Sequence, residues 1–252
     1  MSAFVLFAIG LLYLSVCAFL FLAQRSLIYF PTPAFGDLNA NSISLKVGKE
    51  TLRILNRSFG GPNAVIYFGG NAEDVSSNLD DFVRTLSGHS IYLVNYPGYG
   101  GSTGSPSEDA FFREALVVYD LVHKSYPNIS IIGRSLGTGV AVYLATARKV
   151  DKLVLVTPFD SLKHVAEMHY PMLPISLLLK DKFKSLDRLP FVTAKTLVLL
   201  AEYDEVIPRN SSDALISAFQ PGQASVVLIR GATHNSIGTF SQYSELMSAF
   251  LR

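Results

Sequence analysis

The chain has 252 residues, 49% of them apolar, which supports one sizeable α/β core and is too short for two such cores plus an anchor. Its formal net charge of +1 is spread along the sequence, which excludes the basic footprint of a nucleic-acid binder and points to no polyanionic partner. The single cysteine, Cys17, excludes an intrachain disulfide and a cysteine-based metal site.

Residues 3–23 are apolar except for Gly10, Ser15 and the amphipathic Tyr13. At about 1.5 Å of helical rise per residue, the stretch just crosses a ~30 Å hydrocarbon layer. It predicts a single transmembrane anchor over residues 1–25, followed by one domain over 26–252. A cleaved signal peptide competes with this reading, but no basic residue precedes the run and no clear small-x-small site follows it. Leu14-Ser15-Val16-Cys17 is a poor lipoprotein box, because Val16 stands where a small residue belongs. Arg25, Lys46, Lys49, Arg53 and Arg57 all follow the segment, so the positive-inside rule puts the domain on the cytoplasmic face of the membrane. Residues 26–35, with Tyr29, Phe30 and two prolines, suit either the bilayer interface or packing on the first strand.

From residue 42 the apolar pattern has the period of strands, with partial alternation over 42–47 and 51–56 and a continuous apolar run over 64–68. Strand-like runs at 91–95, 129–132, 153–156, 196–200 and 225–229 then alternate with helix-length segments near 108–124, 140–147, 211–219 and 236–250. Such alternation predicts a mostly parallel sheet with helices on both faces and ligands at the carboxyl ends of its strands. Residues 158–190 carry four prolines and the apolar patch 175–179, and are predicted to form a helical cap over those strand ends. A buried packing helix is the competing account of the patch.

Gly133-Arg134-Ser135-Leu136-Gly137 joins the 129–132 run to the following helix. In that place it reads as a nucleophile elbow, a tight strand-to-helix turn that presents the serine hydroxyl. Such a hydroxyl needs a general base, and the base needs an acid to fix its tautomer. His234, on the loop after the last strand-like run, is the predicted base. His89, His123, His164 and His169 fall before a strand, within a helix or in the cap, where surface or packing roles suffice. Asp204, on the loop after 196–200, is the predicted acid, with Asp160 in reserve; Glu202 and Glu205 read as solvated or helix-dipole charges. The backbone N–H groups of Leu136 and Asn71 are the predicted oxyanion donors, the latter in Gly69-Gly70-Asn71-Ala72. A plain glycine turn, leading into a helix capped near Asn71 or Ser76, uses the same residues.

Seven blocks stand in one order: Tyr67-Phe-Gly-Gly-Asn-Ala72, Asn95-Tyr-Pro-Gly-Tyr-Gly-Gly-Ser-Thr-Gly-Ser-Pro-Ser-Glu108, the pentapeptide around Ser135, Thr157-Pro-Phe-Asp-Ser-Leu162, Tyr170-Pro-Met-Leu-Pro174, Tyr203-Asp-Glu-Val-Ile-Pro208 and Gly231-Ala-Thr-His-Asn235. Together they resemble the α/β-hydrolase superfamily, in particular its membrane-anchored serine hydrolases, the branch that includes protein depalmitoylases. The resemblance implies Ser135 as nucleophile, His234 as base and Asp204 as acid, with Leu136 and Asn71 lending amides. It implies hydrolysis of a carboxylic ester or acyl thioester, of a small molecule, a lipid or an acylated protein, with no metal or cofactor. The family usually has His-Gly-Asn where this chain has Gly69-Gly70-Asn71, and Asn95-Tyr-Pro replaces a more usual acidic-aromatic-arginine lead into the glycine turn. The alternatives are an idle hydrolase fold that binds or scaffolds at the membrane, and a peptidase or transacylase using the same triad.

Overall fold

The computed structural model describes residues 2–34 and 42–252. Phe35, the last residue of the predicted interfacial stretch, lies outside them. Eight strands, β1 (Ser42–Val47), β2 (Glu50–Arg57), β3 (Asn63–Phe68), β4 (Ser90–Val94), β5 (Asn128–Arg134), β6 (Lys152–Val156), β7 (Lys195–Tyr203) and β8 (Ala224–Thr233), form one sheet in the order β1-β2-β4-β3-β5-β6-β7-β8. β1 pairs with β2, and β2 with β4, antiparallel; every other pair is parallel.

Both faces of the central strands are buried, which is why they read as continuous apolar runs. On β3, Ala64, Ile66 and Phe68 face one core while Val65 and Tyr67 face the other. The first core is covered by α3 (Glu108–His123), α4 (Leu136–Ala147) and α8 (Arg209–Ser217), and the second by α2 (Leu79–Thr85) and α9 (Ser241–Leu251). α3 begins where Ser107 accepts from the Ala110 N–H, with Glu108 and Asp109 in its first turn to complement the helix dipole. The predicted final helix starts late: residues 237–239 form a 3₁₀ turn and α9 begins at Ser241. The turn after Asn71 is capped by Asp74, which accepts from Ser76 N, rather than by Asn71 or Ser76.

The 158–190 segment leaves β6 at its carboxyl end and folds into short helices, α5 (Leu162–His169), α6 (Ile175–Leu178) and α7 (Ser185–Arg188). The apolar patch divides: Ile175 is buried while Leu177 is exposed. The N-terminal helix, α1 (Ala3–Ile28), is long and apolar enough to cross a membrane, and it runs without a break past residue 25. Its last turns pack on the domain. Arg25 makes a bidentate pair with Asp181 at 2.9 Å for both contacts, and the Tyr29 hydroxyl donates to the same carboxylate at 3.0 Å. The aromatic pair at its end therefore separates, with Tyr29 buried edge-on against Phe111 and Phe30 exposed.

Glu114 on α3 is buried, and neither carboxylate oxygen has a hydrogen-bond partner among the described residues. Burial, with Glu50 adding to it and Arg113 opposing, pushes its pKa from 4.5 up to about 7. Because the folded-state value is the higher one, its contribution to stability is complete below the unfolded value and is lost as pH rises through about 7. Glu114→Gln is expected to remove that loss, raising Tm by several degrees near pH ~8 and leaving it almost unchanged near pH ~4, in thermal melts at both values.

Candidate active site

Ser135 closes β5 and opens α4 with φ 50° and ψ −117°, a strained conformation for a residue with a side chain. The turn is possible because its neighbours lack one. A Cβ on Gly133 would lie 2.5 Å from the Gly137 carbonyl oxygen, and one on Gly137 would lie 2.1 Å from that of Phe68. The Ser135 N–H donates to Val156 O at 2.9 Å, fixing the elbow to β6.

His234 stands at the end of β8, where Thr233 and Ser236 exchange backbone-to-hydroxyl bonds of 2.9 and 3.2 Å around it. Its ring is buried. Nε2 lies 2.9 Å from Ser135 Oγ, and Nδ1 lies 2.9 and 3.0 Å from the two oxygens of Asp204. Asp204 can only accept, so Nδ1 carries the proton and Nε2 is left to accept from the serine. Asp204 is itself held by the N–H groups of Val206 and Ile207, at 3.0 and 2.8 Å. The arrangement can draw a proton from Ser135 and stabilise the imidazolium that results.

Of the two expected oxyanion donors, Leu136 lies in the elbow itself and Asn71 in the glycine loop, where a Cβ on Gly70 would come 3.5 Å from that of Ser135. Leu136 is the first residue of α4, so its N–H has no partner within the helix. The Asn71 N–H has no acceptor among the described residues, whereas the neighbouring Gly70 N–H is taken by Glu73 Oε2 at 2.6 Å. The Asn71 side chain is engaged elsewhere: Nδ2 donates to Ile28 O at 2.6 Å, and Oδ1 accepts from Phe30 N and the Tyr99 hydroxyl at 3.0 and 2.7 Å. The end of α1 is thereby fastened to the loop that carries the donor.

Glu73 and Arg134 were not legible in the sequence. Glu73 accepts from the Tyr67 hydroxyl, Asn78 Nδ2, Gly70 N and Arg134 Nη1, while Arg134 Nη2 donates to His234 O at 3.2 Å. Burial works against the Arg134 charge, but Glu73, Tyr67 and Tyr243 together outweigh it and hold the guanidinium pKa above its ordinary value. This network braces the glycine loop; a Cβ at Gly69 would meet Val75 at 2.7 Å. Tyr96 also holds the loop, its hydroxyl donating to Gly69 O at 2.9 Å. Arg134 sits inside the Gly-x-Ser-x-Gly stretch, which was a signal of place, but its partner is 61 residues away and leaves no periodic trace.

Other acidic residues have separate tasks. Glu205 accepts from the His234 N–H at 3.1 Å and Glu202 from Gly231 N at 2.7 Å, so neither is merely a solvated charge. Asp160, the reserve acid, is turned away from His234. It meets His164 Nδ1 at 2.6 Å and accepts from the Ser211 hydroxyl and Ser161 N at 2.5 and 2.7 Å. Asp160→Asn is therefore expected to cost roughly 1–3 kcal/mol of stability and to leave kcat within a few-fold of wild type, by denaturant titration and steady-state assay. Among the described residues no group of three or more His, Cys, Asp or Glu side chains is placed to hold a metal ion.

Residues 63–185 match the family described as alpha/beta hydrolase fold. An uncharacterized protein of Mycobacterium tuberculosis is 33% identical over 237 residues, covering 87% of this chain and 83% of that protein. Alpha/beta hydrolase domain-containing protein 17C of Xenopus tropicalis is 28% identical over 193 residues, 74% of this chain and 61% of its own. An esterase of Pyrococcus furiosus has the same fold, with a TM-score of 0.68 at 15% identity, over 88% of this chain and 98% of that one. With its eight-stranded, mostly parallel sheet and a 33% identical relative matched over most of both lengths, the chain belongs to the alpha/beta hydrolase family.

Proposed function

We propose that the protein is a membrane-anchored serine hydrolase that cleaves carboxylic esters or acyl thioesters through an acyl-enzyme. The observation that carries the reading is the hydrogen-bonded line from Ser135 Oγ through His234 to Asp204, with contacts of 2.9 to 3.0 Å. Ser135 attacks the acyl carbon as His234 Nε2 takes its proton. The oxyanion accepts from the Leu136 and Asn71 amides, each donor contributing about 3 kcal/mol in such sites. His234 returns the proton to the departing alkoxide or thiolate. Water, deprotonated by the same ring, then releases the acid and restores Ser135.

Membrane attachment is supported by the length and apolarity of α1, and a cytoplasmic domain by Arg25 at its domain-side end. An acyl chain supplied from the bilayer, on a lipid or an acylated protein, fits both. The test is hydrolysis of p-nitrophenyl esters from acetyl to palmitoyl, and of the matching thioesters, by the full chain in vesicles. Saturable turnover absent from Ser135→Ala supports the reading. Wild type no faster than Ser135→Ala, with both folded, contradicts it.

A further inference from the structure

An apolar cavity of about 330 Å³ lies between α1 and the 158–190 segment, lined by Leu20, Leu27 and Ile28 on one side and Ala166, Leu173 and Leu178 on the other. Gln24 also borders it, but its amide is spent. Nε2 donates to the Phe21 and Leu178 carbonyls at 2.9 and 3.0 Å, and Oε1 accepts from Lys180 N at 2.7 Å.

The depth of this cavity follows from α1. Arg25, paired with Asp181, marks the polar boundary, since a guanidinium avoids the hydrocarbon layer. Counting back along the helix at about 1.5 Å per residue, Leu20 stands roughly 8 Å and Tyr13 roughly 18 Å into a ~30 Å core. The Tyr13 hydroxyl donates to Met172 O at 3.0 Å, so the loop before α6 reaches the same depth as Tyr13. That loop is built for such a place. Met172 and Leu177 are 83% and 79% exposed. The backbone N–H groups of Leu173, Ile175, Leu177 and Leu178 are bonded to nearby carbonyls, which lowers the cost of placing this backbone against lipid. Lys180 lies nearer the boundary, its Nζ 4.1 Å from the centre of the Phe21 ring.

We propose that the cavity between α1 and this segment binds a lipid acyl chain that enters from the surrounding leaflet. It rests on the reading of α1 as a membrane helix, and on the hydrolase reading the chain belongs to the substrate. At about 30 Å³ per water-sized group, the cavity takes on the order of ten methylenes. Its lining includes Ile28, whose carbonyl accepts from Asn71 Nδ2, so one wall of the cavity is fastened to the loop of the oxyanion donor.

The test uses the full chain in phosphatidylcholine vesicles doped with phosphatidylcholine that carries a diazirine midway along one acyl chain. After irradiation, adducts are mapped by peptide mass spectrometry for wild type and for Ala166→Trp, which fills the cavity. Leu178→Trp replaces it if thermal melting shows the first variant misfolded. Adducts are expected on residues 4–14, exposed to lipid along α1, and on the cavity side chains at 20–28 and 166–179, the latter set lost in the filled variant. Adducts on residues 4–14 alone overturn the cavity and leave the anchor standing. Adducts nowhere overturn both, and cavity adducts that survive filling also overturn the site. Reaction of Ser135 with a phosphonate probe is read separately, so failure here is distinct from failure of the hydrolase reading.

Discussion

Ser135→Ala is expected to lower kcat by about 10⁶-fold, and adding His234→Ala to lower it no further. In the proposed mechanism the serine and the imidazole act as one unit, the 2.9 Å hydrogen bond between Oγ and Nε2 being the route by which the hydroxyl becomes a nucleophile. Once the oxygen is gone, the base has no proton to take. Residual turnover then comes from positioning and from the Leu136 and Asn71 amides, which stabilise the oxyanion whether water or serine is the attacking group. Single-turnover assays of both single variants and the double variant read this directly. Effects that multiply would place the two residues in separate steps.

Asp204→Asn is expected to cost about 10⁴-fold in kcat with the fold retained. Asparagine keeps an oxygen for the Val206 and Ile207 N–H groups, so the loop after β7 is still closed. It also brings an N–H₂ group, in the place of Oδ2 at 3.0 Å, that faces His234 Nδ1 as a donor and favours the other tautomer. Nε2 then carries the proton and cannot accept from Ser135. Asp204→Ala breaks both the loop and the tautomer, so the asparagine variant isolates the second effect. Steady-state rates, compared with melting temperatures for the two variants, separate them.

How much of this was legible depends on whether the signal was local. The central strands announced themselves because burial on both faces leaves runs such as Val65–Phe68 without polar alternation. The elbow, Asp204 and His234 could be placed because each sits on the loop at a strand's carboxyl end, in an order that one topology brings together. The helix Leu79–Thr85 was obscured by Asp80, Asp81 and Arg84 among few apolar residues. The Glu73–Arg134 brace could not be read at all, because it joins the end of β5 to the loop after β3 and leaves no spacing rule. The same holds for Asp181, which pairs with Arg25 from 156 residues away and makes the end of α1 part of the domain rather than a tether. Asp160 stood in reserve behind Asp204 by loop position, and its bonds to His164, Ser211 and Ser161 occupy it away from His234.

The most direct measurement is labelling of the full chain in vesicles with a fluorophosphonate probe, for wild type, Ser135→Ala, His234→Ala and Asp160→Asn. The probe forms a stable bond only with an activated serine, so it reads the relay without any choice of substrate. Wild type and Asp160→Asn are expected to label, and Ser135→Ala and His234→Ala to stay blank. A folded wild type that does not label, or a Ser135→Ala variant that does, would contradict the account.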